Sequence, residues 1–322
     1  MRRRDFVAAV GGATVWSLTA QAQQTTQRVR RIGLMANLRI QPIERFRKKL
    51  GELGYSEGKN LLIEYRFGEG KDERFASFAA ELAAMPVDLI VAWGTPAAFA
   101  AKRATSKIPI VLTVGDVINT GLVSNLARPG GNITGFVALN VDLEEKRLEL
   151  LKEVMPHLSR VAVLGNSANP LNRINSDTIR GVAKRLSVMV DVFEIKSNSE
   201  VERALRMIVE AHPDAVLLAS DTLLLSERQQ IANAMAVNRI PAIYPFREYA
   251  EAGGLIAYGS SISELFERSA DYVRRILDGE NPGDLPIQQA TKFEVIINMK
   301  AAAKLGLTLP AAVLTRADEV IE

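Results

Sequence analysis

Small polar side chains follow several short apolar segments of this sequence, at positions from which α/β proteins commonly bind ligands. The apolar segments have the length and composition of buried strands. Residues just beyond the carboxyl ends of parallel strands share one edge of a sheet, where the following helices present unpaired N–H groups. The candidate ligand-binding residues selected in this way are Asn37, Trp93, Gly94, Thr95, Asp116, Asn119, Asn166, Ser167, Asn169, Asp221 and Tyr244.

Each candidate also has a purely structural interpretation. Trp93 and Tyr244 end apolar segments, so each could either stack on the apolar part of a ligand or cover the core. Helix capping, at about 1 kcal/mol per cap, explains four other candidates taken singly: Thr95, Ser167, Asn169 and Asp221. The recurrence of small polar residues at this position in two parts of the chain favours a shared binding cleft.

Groups able to do covalent or acid–base chemistry are sparse. His157 and His212 each lie beside a proline in a connector, without a neighbouring nucleophile or metal partner. No G-x-G-x-x-G follows the first strand, and neither a Walker lysine nor a G-x-S-x-G elbow is present. The sequence contains no cysteine, which excludes thiol nucleophiles and disulfides. These observations predict a binding protein with no catalytic residue, metal or cofactor.

An internal repeat predicts how the chain is organised. Residues 88–95 and 107–111 parallel residues 214–221 and 239–243, and each copy reads as a buried strand, a polar turn, a helix and a strand that opens with Ile-Pro. Similar βαβ units in separate halves indicate two similar lobes. We therefore predict an α/β fold of two Rossmann-like lobes with parallel sheets.

The expected lobe boundaries follow from this alternation of strands and helices. We assign residues 28–137 plus 260–286 to lobe I and residues 138–259 plus 287–322 to lobe II. The chain then crosses between lobes near residues 137, 259 and 286, which predicts a hinge of several strands. Within this scheme the loop after Tyr244 lies at the mouth of the cleft.

The first 22 residues read as a cleaved export signal. Three arginines precede an apolar segment of twelve residues, and Ala20-Gln21-Ala22 matches the A-x-A cleavage pattern. Both the twin-arginine and the general export route suit this leader. We expect cleavage near Ala22 and a soluble periplasmic protein, because no cysteine follows for a lipid anchor and no later segment is apolar enough to span a membrane.

Charge gives no support for binding to nucleic acid or acidic membranes. The formal net charge is +3, and the signal contributes three arginines and one aspartate, so the chain after cleavage carries 3 − 2 = +1. Such partners are bound largely through an excess of positive charge. We expect neither as a partner.

Five segments carry a resemblance to a known family. They are the leader RRRDF with AQAQQ, VGDVINTGLVSNLARPGGNITG (114–135), NSANP (166–170), IPAIYPFREYAEAGGLIAYG (240–259), and TKFEVIINMKAAAKLGLTLP with RADEVIE. The sequence resembles the ABC transporter substrate-binding proteins of the tryptophan/tyrosine type, which have a type I periplasmic-binding fold. One departure is that Val117-Ile118-Asn119 follows Gly-Asp, where relatives commonly have proline.

The resemblance implies an exported, monomeric protein that captures a small organic solute by hinge closure and delivers it to an ABC permease and its ATPase. The implied solute is similar to an amino acid, with an aromatic one favoured by analogy. Helix N-termini after Gly94 and Asn166 suit a carboxylate, and Asp116 or Asp221 could accept hydrogen bonds from an amine. Two alternatives remain open at this point: a ligand-sensing module for a receptor, and a two-lobed α/β enzyme.

Overall fold

A computed structural model describes residues 28–138 and 140–322, without the side chain of Asn140. The expected export signal, residues 1–22, lies outside the described residues. Strands and helices alternate along nearly the whole described chain. The strands form two separate sheets.

The first sheet has six strands, all parallel. They are β1 (Arg30–Ala36), β2 (Leu61–Phe67), β3 (Leu89–Trp93), β4 (Ile110–Val114), β5 (Ile133–Val137) and β11 (Gln288–Gln289). The order across the sheet is β11-β5-β4-β3-β1-β2. Every residue of β3, β4 and β5 is buried, as expected where helices cover both faces of a parallel sheet.

Helices that cover the first sheet come from both ends of the chain. They are α1 (Gln41–Glu52), α2 (Arg74–Ala84), α3 (Thr95–Ala104) and α10 (Ile262–Leu277). Pro42 lies in the first turn of α1, where the missing N–H removes no helical hydrogen bond. Because α10 packs against α1 and β4, a segment after residue 260 is part of the first lobe.

The second sheet has seven strands. They are β6 (Arg160–Asn166), β7 (Met189–Ile195), β8 (Ala215–Leu218), β9 (Ala242–Tyr244), β10 (Ile256–Ser260), β12 (Phe293–Asn298) and β13 (Glu319–Ile321). The order is β13-β12-β10-β9-β8-β6-β7, and only β12 against β10 is antiparallel.

Eight α-helices accompany the second sheet among the described residues. They are α4 (Asn140–Val154), α5 (Leu171–Arg185), α6 (Val201–Glu210), α7 (Thr222–Ser226), α8 (Arg228–Val237), α9 (Arg247–Glu251), α11 (Met299–Leu305) and α12 (Ala311–Thr315). Short 3-10 turns occur at Asn198–Glu200 and Pro282–Asp284. Within the described ranges no helix is long and apolar enough to cross a membrane.

The predicted α/β fold with two sheets is confirmed, and so are the two repeated units, β3-α3-β4 and β8 to β9. The second unit differs in that its helical part is divided between α7 and α8. Near the end of the chain, β13 pairs in parallel with β12. The antiparallel β12 is a departure from the wholly parallel sheet that was expected.

Three segments connect the sheets, after β5, after β10 and between β11 and β12. These segments are hydrogen-bonded to one another: Ser260 Oγ donates to the carbonyl of Ala138, and Ser261 N donates to that of Lys292 at 3.0 Å. β11 pairs with β5 of the first sheet, so residues 288–289 lie with that sheet although they follow the expected boundary at 286. Below, each sheet with its covering helices is called the first or the second lobe.

Candidate functional site

A cavity lies between the lobes at the carboxyl ends of the strands. It spans about 380 Å³, including space that is open to solvent. It is lined from the first lobe by Trp93, Gly94, Thr95, Thr113, Val114, Gly115, Ala138 and Ile262, and from the second by Asn169, Leu171, Ser220, Asp221, Thr222 and Phe246. This is the position at which open parallel sheets bind ligands. The strand-end rule therefore leads to the cavity, and five of the candidates line it: Trp93, Gly94, Thr95, Asn169 and Asp221.

The lining combines aromatic, hydroxyl and amide groups. Trp93 and Phe246 supply aromatic surface, and Asp221 is the one charged side chain among the described lining residues. The polar uncharged side chains are Thr95, Thr113, Ser220, Thr222 and Asn169. Such a cavity suits a solute with an apolar body and a few hydrogen-bonding groups.

Trp93 packs into the core and also borders the cavity. It is 3% exposed and meets Phe266 of α10 edge to face, with ring centroids 5.4 Å apart. Trp93 therefore covers the core, and its position at the cavity leaves stacking on a ligand as a prediction. The contact with α10 fixes the indole, so its cavity-facing surface is rigid.

Gly94 and Thr95 bring the start of α3 close to the second lobe. Gly94 has φ of +91°, and a Cβ placed there would lie 2.9 Å from Thr222 Oγ1 of the second lobe. Gly94 is the N-cap of α3, so Thr95 does not have the capping role considered for it. Thr95 is instead buried in the first turn and lines the cavity.

Thr113 on β4 is a lining residue that sequence analysis does not identify. Its Oγ1 is buried and neither donates nor accepts a hydrogen bond among the described residues. A buried hydroxyl without a hydrogen-bond partner is energetically costly, so a ligand that forms a hydrogen bond to Thr113 Oγ1 would offset this cost. Thr113 lies inside an apolar strand rather than after one, which is why the strand-end rule misses it.

Asp221 caps α7 and also binds two asparagines. Its Oδ1 accepts from the N–H groups of Leu223 (2.7 Å) and Leu224 (3.1 Å), as the capping interpretation requires. Its Oδ2 accepts from Asn169 Nδ2 (2.7 Å) and Asn166 Nδ2 (3.2 Å). Burial raises the pKa of this carboxyl group. With four donors already bound, Asp221 acts on a ligand mainly through its charge and through Asn169.

Asn37, Asp72, Asn166 and Asp221 form a polar cluster that joins the lobes, called here the interlobe cluster. Asp72, in the loop after β2, accepts from Asn37 Nδ2 at 2.8 Å and from Asn166 Nδ2 at 3.1 Å. Asn37 Nδ2 also donates to Thr222 Oγ1 at 3.1 Å. Asn37 and Asp72 belong to the first lobe and their partners Asn166 and Thr222 to the second, so these bonds cross the cleft.

Sequence analysis overlooks Asp72, although the strand-end rule applies to the loop that follows β2. The residue lies in a strongly hydrophilic segment, GEGKDER, which looks like a solvated loop. Burial, and then the charge of Asp221, raise the pKa of Asp72 to about 6. The two carboxylates are both hydrogen-bonded to Asn166 Nδ2.

Asp116, Asn119 and Ser167 lie outside the cavity lining. Asp116 closes its own turn, accepting from the N–H of Ile118 and of Asn119 at 2.9 Å each. Asp116 and Asn119 border a neighbouring space of about 590 Å³, which Val137 and Gln289 also line. Ser167 is exposed, donates to the carbonyl of Ile195, and with Asn119 borders a wider opening of about 960 Å³.

Tyr244 lies in the core of the second lobe. It is 1% exposed and stacks on Tyr249 with ring centroids 4.8 Å apart, and burial raises its pKa. Phe246, two residues later, contributes the aromatic surface at the cavity instead. β9 ends at Tyr244, and the backbone has to continue past Pro245 before a side chain reaches the cleft.

A buried ion pair lies directly behind the cavity. Glu144 Oε1 and Arg147 Nη2 are 2.7 Å apart, and both side chains are fully buried. Arg147 also donates to Ser220 Oγ (2.9 Å) and to the carbonyl of Tyr258 (3.0 Å) on β10. Burial raises the pKa of Glu144, and the charge of Arg147 opposes that rise. The pair thus connects a cavity residue with β10, the strand that precedes one of the segments connecting the sheets.

Metal-binding side chains do not gather anywhere in the described part of the chain: no group of three or more His, Cys, Asp or Glu side chains could hold an ion.

Comparison with known proteins gives a consistent result. The family model described as ABC transporter substrate binding protein matches residues 39–321. A tyrosine-binding protein of Clostridioides difficile (strain R20291) is 31% identical over 255 residues, which cover 79% of this chain and 73% of that protein.

Two solved structures extend the comparison. An ABC domain from Streptococcus pneumoniae in complex with L-Trp is 25% identical, covers 91% of this chain and 99% of its own, and superposes with a TM-score of 0.83. A ligand-free, open structure of a substrate-binding protein from Clostridium difficile is 26% identical with the same coverage, but its TM-score is 0.62.

The fold is that of type I periplasmic-binding proteins, as the resemblance implies. The family match extends over most of the chain and includes both lobes and the cavity between them. This chain belongs to the ABC transporter substrate-binding protein family.

Proposed function

We propose that this protein captures an amino acid with an aromatic side chain in the cavity between its lobes and delivers it to an ABC permease and its ATPase. The observation that carries the proposal is the cavity itself, where Trp93 and Phe246 face hydroxyl and amide groups. Two of the similar proteins, one a tyrosine-binding protein and the other solved in complex with L-Trp, point to the same ligand class.

The lining supports one orientation of such a solute. Its side chain would pack against Trp93 and Phe246. Its carboxylate would lie at the N-terminus of the ten-residue helix α3, which presents N–H groups from Thr95 onward, since the N–H of Gly94 already donates to the carbonyl of Thr113 at 3.0 Å. No basic side chain lines the cavity among the described residues, so the carboxylate depends on these N–H groups and on hydroxyls such as that of Thr113. Its ammonium group would be attracted by the charge of Asp221.

Hinge closure is the mechanism we propose for capture. Ligand contacts from both lobes favour the closed state by the difference in affinity between the closed and open states. The bonds from Asn37 to Thr222 and from Asp72 to Asn166 require the lobes to be close together. The higher TM-score to the L-Trp complex than to the open structure supports a closed arrangement.

Export is part of the proposal and rests on residues 1–22. The chain would act in the periplasm as a monomer after cleavage near Ala22. Mass spectrometry of the protein from a periplasmic fraction tests this, because cleavage there gives Gln23 as the first residue. Recovery of uncleaved protein from the cytoplasm alone would contradict it.

Calorimetric titration with L-tryptophan, L-tyrosine and L-phenylalanine tests the ligand class, with L-leucine and D-glucose as controls. A ligand at about 100 times its Kd raises the free energy of unfolding by about 2.7 kcal/mol, so a thermal shift is a second readout. We expect Trp93→Leu to weaken binding about tenfold, because aromatic contact and apolar burial are both reduced.

Phe78→Leu is the matched control, since Phe78 lies on α2 outside the cavity and packs against Phe75. It should bind with the affinity of the parent. Binding of leucine or glucose but of no aromatic amino acid would overturn the ligand class. Equal affinity of Trp93→Leu and the parent would overturn the assignment of the cavity.

A further inference from the structure

We propose that Asp72 is a positioning residue of the closed state, which holds the lobes together through Asn166 and couples closure to the uptake of a proton. The proposal rests on the proposed function in one respect, that the lobes open and close. It concerns a residue outside the cavity lining, so it does not depend on which solute is bound.

The geometry places Asp72 at the contact between the lobes. Its Oδ1 accepts from Asn37 of its own lobe at 2.8 Å, and its Oδ2 accepts from Asn166 of the other lobe at 3.1 Å. Asn166 Nδ2 is also 3.2 Å from Asp221 Oδ2. Closure therefore brings a carboxylate of the first lobe and a carboxylate of the second onto one amide nitrogen.

The charged groups that act most strongly on Asp72 are acidic. Asp221 and Glu73, the next residue in the chain, both act on Asp72 with negative charge. Around Asp221, the buried Tyr249 hydroxyl is close enough to interact and has no hydrogen-bond partner among the described residues. Arg228 acts on Tyr249 with positive charge. No basic side chain forms an ion pair with Asp72 or Asp221 in the described part of the chain, so the two negative charges are not neutralised by a salt bridge.

A hydrogen-bond acceptor is available for a proton on Asp72. Asn37 Oδ1 is buried and has no partner among the described residues. Rotation of this amide by about 180° exchanges its oxygen and nitrogen, which differ little in shape. The oxygen would then lie beside Asp72 Oδ1 and Thr222 Oγ1, where it could accept hydrogen bonds from the protonated carboxyl group and from the threonine hydroxyl.

The sign of the pH dependence follows from the pKa of Asp72, which burial and Asp221 raise from 3.8 to about 6 when the lobes are together. Opening exposes Asp72 to water and separates it from Asp221, which returns the pKa towards its ordinary value. The closed state thus binds the proton more tightly. The equilibrium constant for closure therefore increases as the pH falls from about 7 to about 4. For one proton the increase is at most about tenfold per pH unit, and the constant does not change further below that range.

The distance between two spin labels, one on each lobe, tests the pH dependence of closure without any ligand. The sequence contains no cysteine, so cysteines introduced at Ala80 on α2 and Arg203 on α6 are the only labelled sites. Both positions are exposed, one on each lobe. The label-to-label distance distribution is recorded by pulsed electron resonance at about pH 5 and about pH 8, on either side of the expected transition.

We expect the parent to show more of the short, closed distance at pH 5 than at pH 8. Asp72→Asn carries no titratable group, so its distribution should be the same at both pH values and similar to that of the parent at pH 5. Asp72→Glu keeps the carboxyl group and should keep the pH dependence. Asp177→Asn, the same change at an exposed carboxylate on α5, should behave as the parent does.

A pH-independent distance in the parent, or an unchanged pH dependence in Asp72→Asn, would overturn the proposal. Titration with L-tryptophan at both pH values adds a second readout, in which the parent should bind more tightly at pH 5. Failure of L-tryptophan to bind would count against the proposed ligand, whereas the ligand-free distances would still decide the role of Asp72.

Discussion

Two groups of charged side chains lie beside the cavity, and they differ in the sign of the charges they bring together. Glu144 and Arg147 are opposite charges within the second lobe, fully buried and 2.7 Å apart. Asp72 and Asp221 are like charges on different lobes, joined by the amide of Asn166. Burial raises the pKa of Glu144 and of Asp72, but Arg147 opposes the rise while Asp221 adds to it.

The comparison separates two uses of buried charge. The pair of opposite charges lies within one lobe and connects Ser220 with β10, so its contribution is to the stability of the lobe itself. The pair of like charges is assembled only when the lobes approach, so its contribution is to the difference between open and closed states. The first two predictions below each change one of these groups, and the last two change contacts outside them.

The largest effect is expected for Arg147→Met, which leaves Glu144 buried without its partner. The free energy of unfolding should fall by about 3–5 kcal/mol, as measured by urea denaturation. The double variant Glu144→Gln with Arg147→Met removes both charges and should recover a large part of the loss. A loss below about 1 kcal/mol in the single variant would show that the pair behaves as a surface pair does.

Asp221→Asn should shift the pH dependence of closure. Asparagine caps helices about as well as aspartate, so α7 should keep its start, but the negative charge next to Asp72 is removed. We expect the pH midpoint of the ligand-free spin-label distance to fall by on the order of one pH unit, because a nearby like charge no longer raises the pKa of Asp72. An unchanged midpoint would mean that burial alone sets this pKa.

Thr222→Val tests an uncharged contact across the same cleft. It removes the Oγ1 atom that accepts from Asn37 at 3.1 Å and keeps the size and branching of the side chain. We expect a cost to closure of about 1 kcal/mol that is the same at pH 5 and pH 8, measured from the populations of the two spin-label distances. A cost that differs between pH 5 and pH 8 would show that the contact of Thr222 is coupled to the titration of the interlobe cluster.

The smallest effect is expected for Asp177→Asn on the surface of α5. Asp177 and Arg180 are 3.3 Å apart, and both side chains are more than half exposed. Exposed pairs of this kind contribute roughly 0–1 kcal/mol, so the urea midpoint should hardly change. A loss of unfolding free energy as large as that of Arg147→Met would show that buried and exposed ion pairs contribute equally to the stability of this chain.

The fold was predictable because its signals are local. Buried strands such as β3 and β4 are continuous apolar segments, and the Ile-Pro repeat marks corresponding units in the two halves. The strand-end rule then led to Gly94, Asn169 and Asp221, since the residue after a strand is a position along the chain and needs no tertiary information.

The rest of the site depends on contacts between distant residues. Asp72 looks like one charge in a hydrophilic loop until the second lobe covers it, and Glu144 with Arg147 looks like an ordinary helical pair until β10 and Ser220 pack against it. Tyr244 is placed in the core by its stacking on Tyr249. Burial by another part of the fold is what changes the chemistry of each of these residues.

The short strands near the end of the chain determine when the protein can finish folding. β11 forms the edge of the first sheet, and β12 and β13 complete the second, so both lobes draw on residues 288–321. A nascent chain that lacks this segment has two unfinished sheets, with the edges of β5 and β10 unpaired. Synthesis of the last few dozen residues therefore completes both sheets, and neither lobe has all its strands before that step.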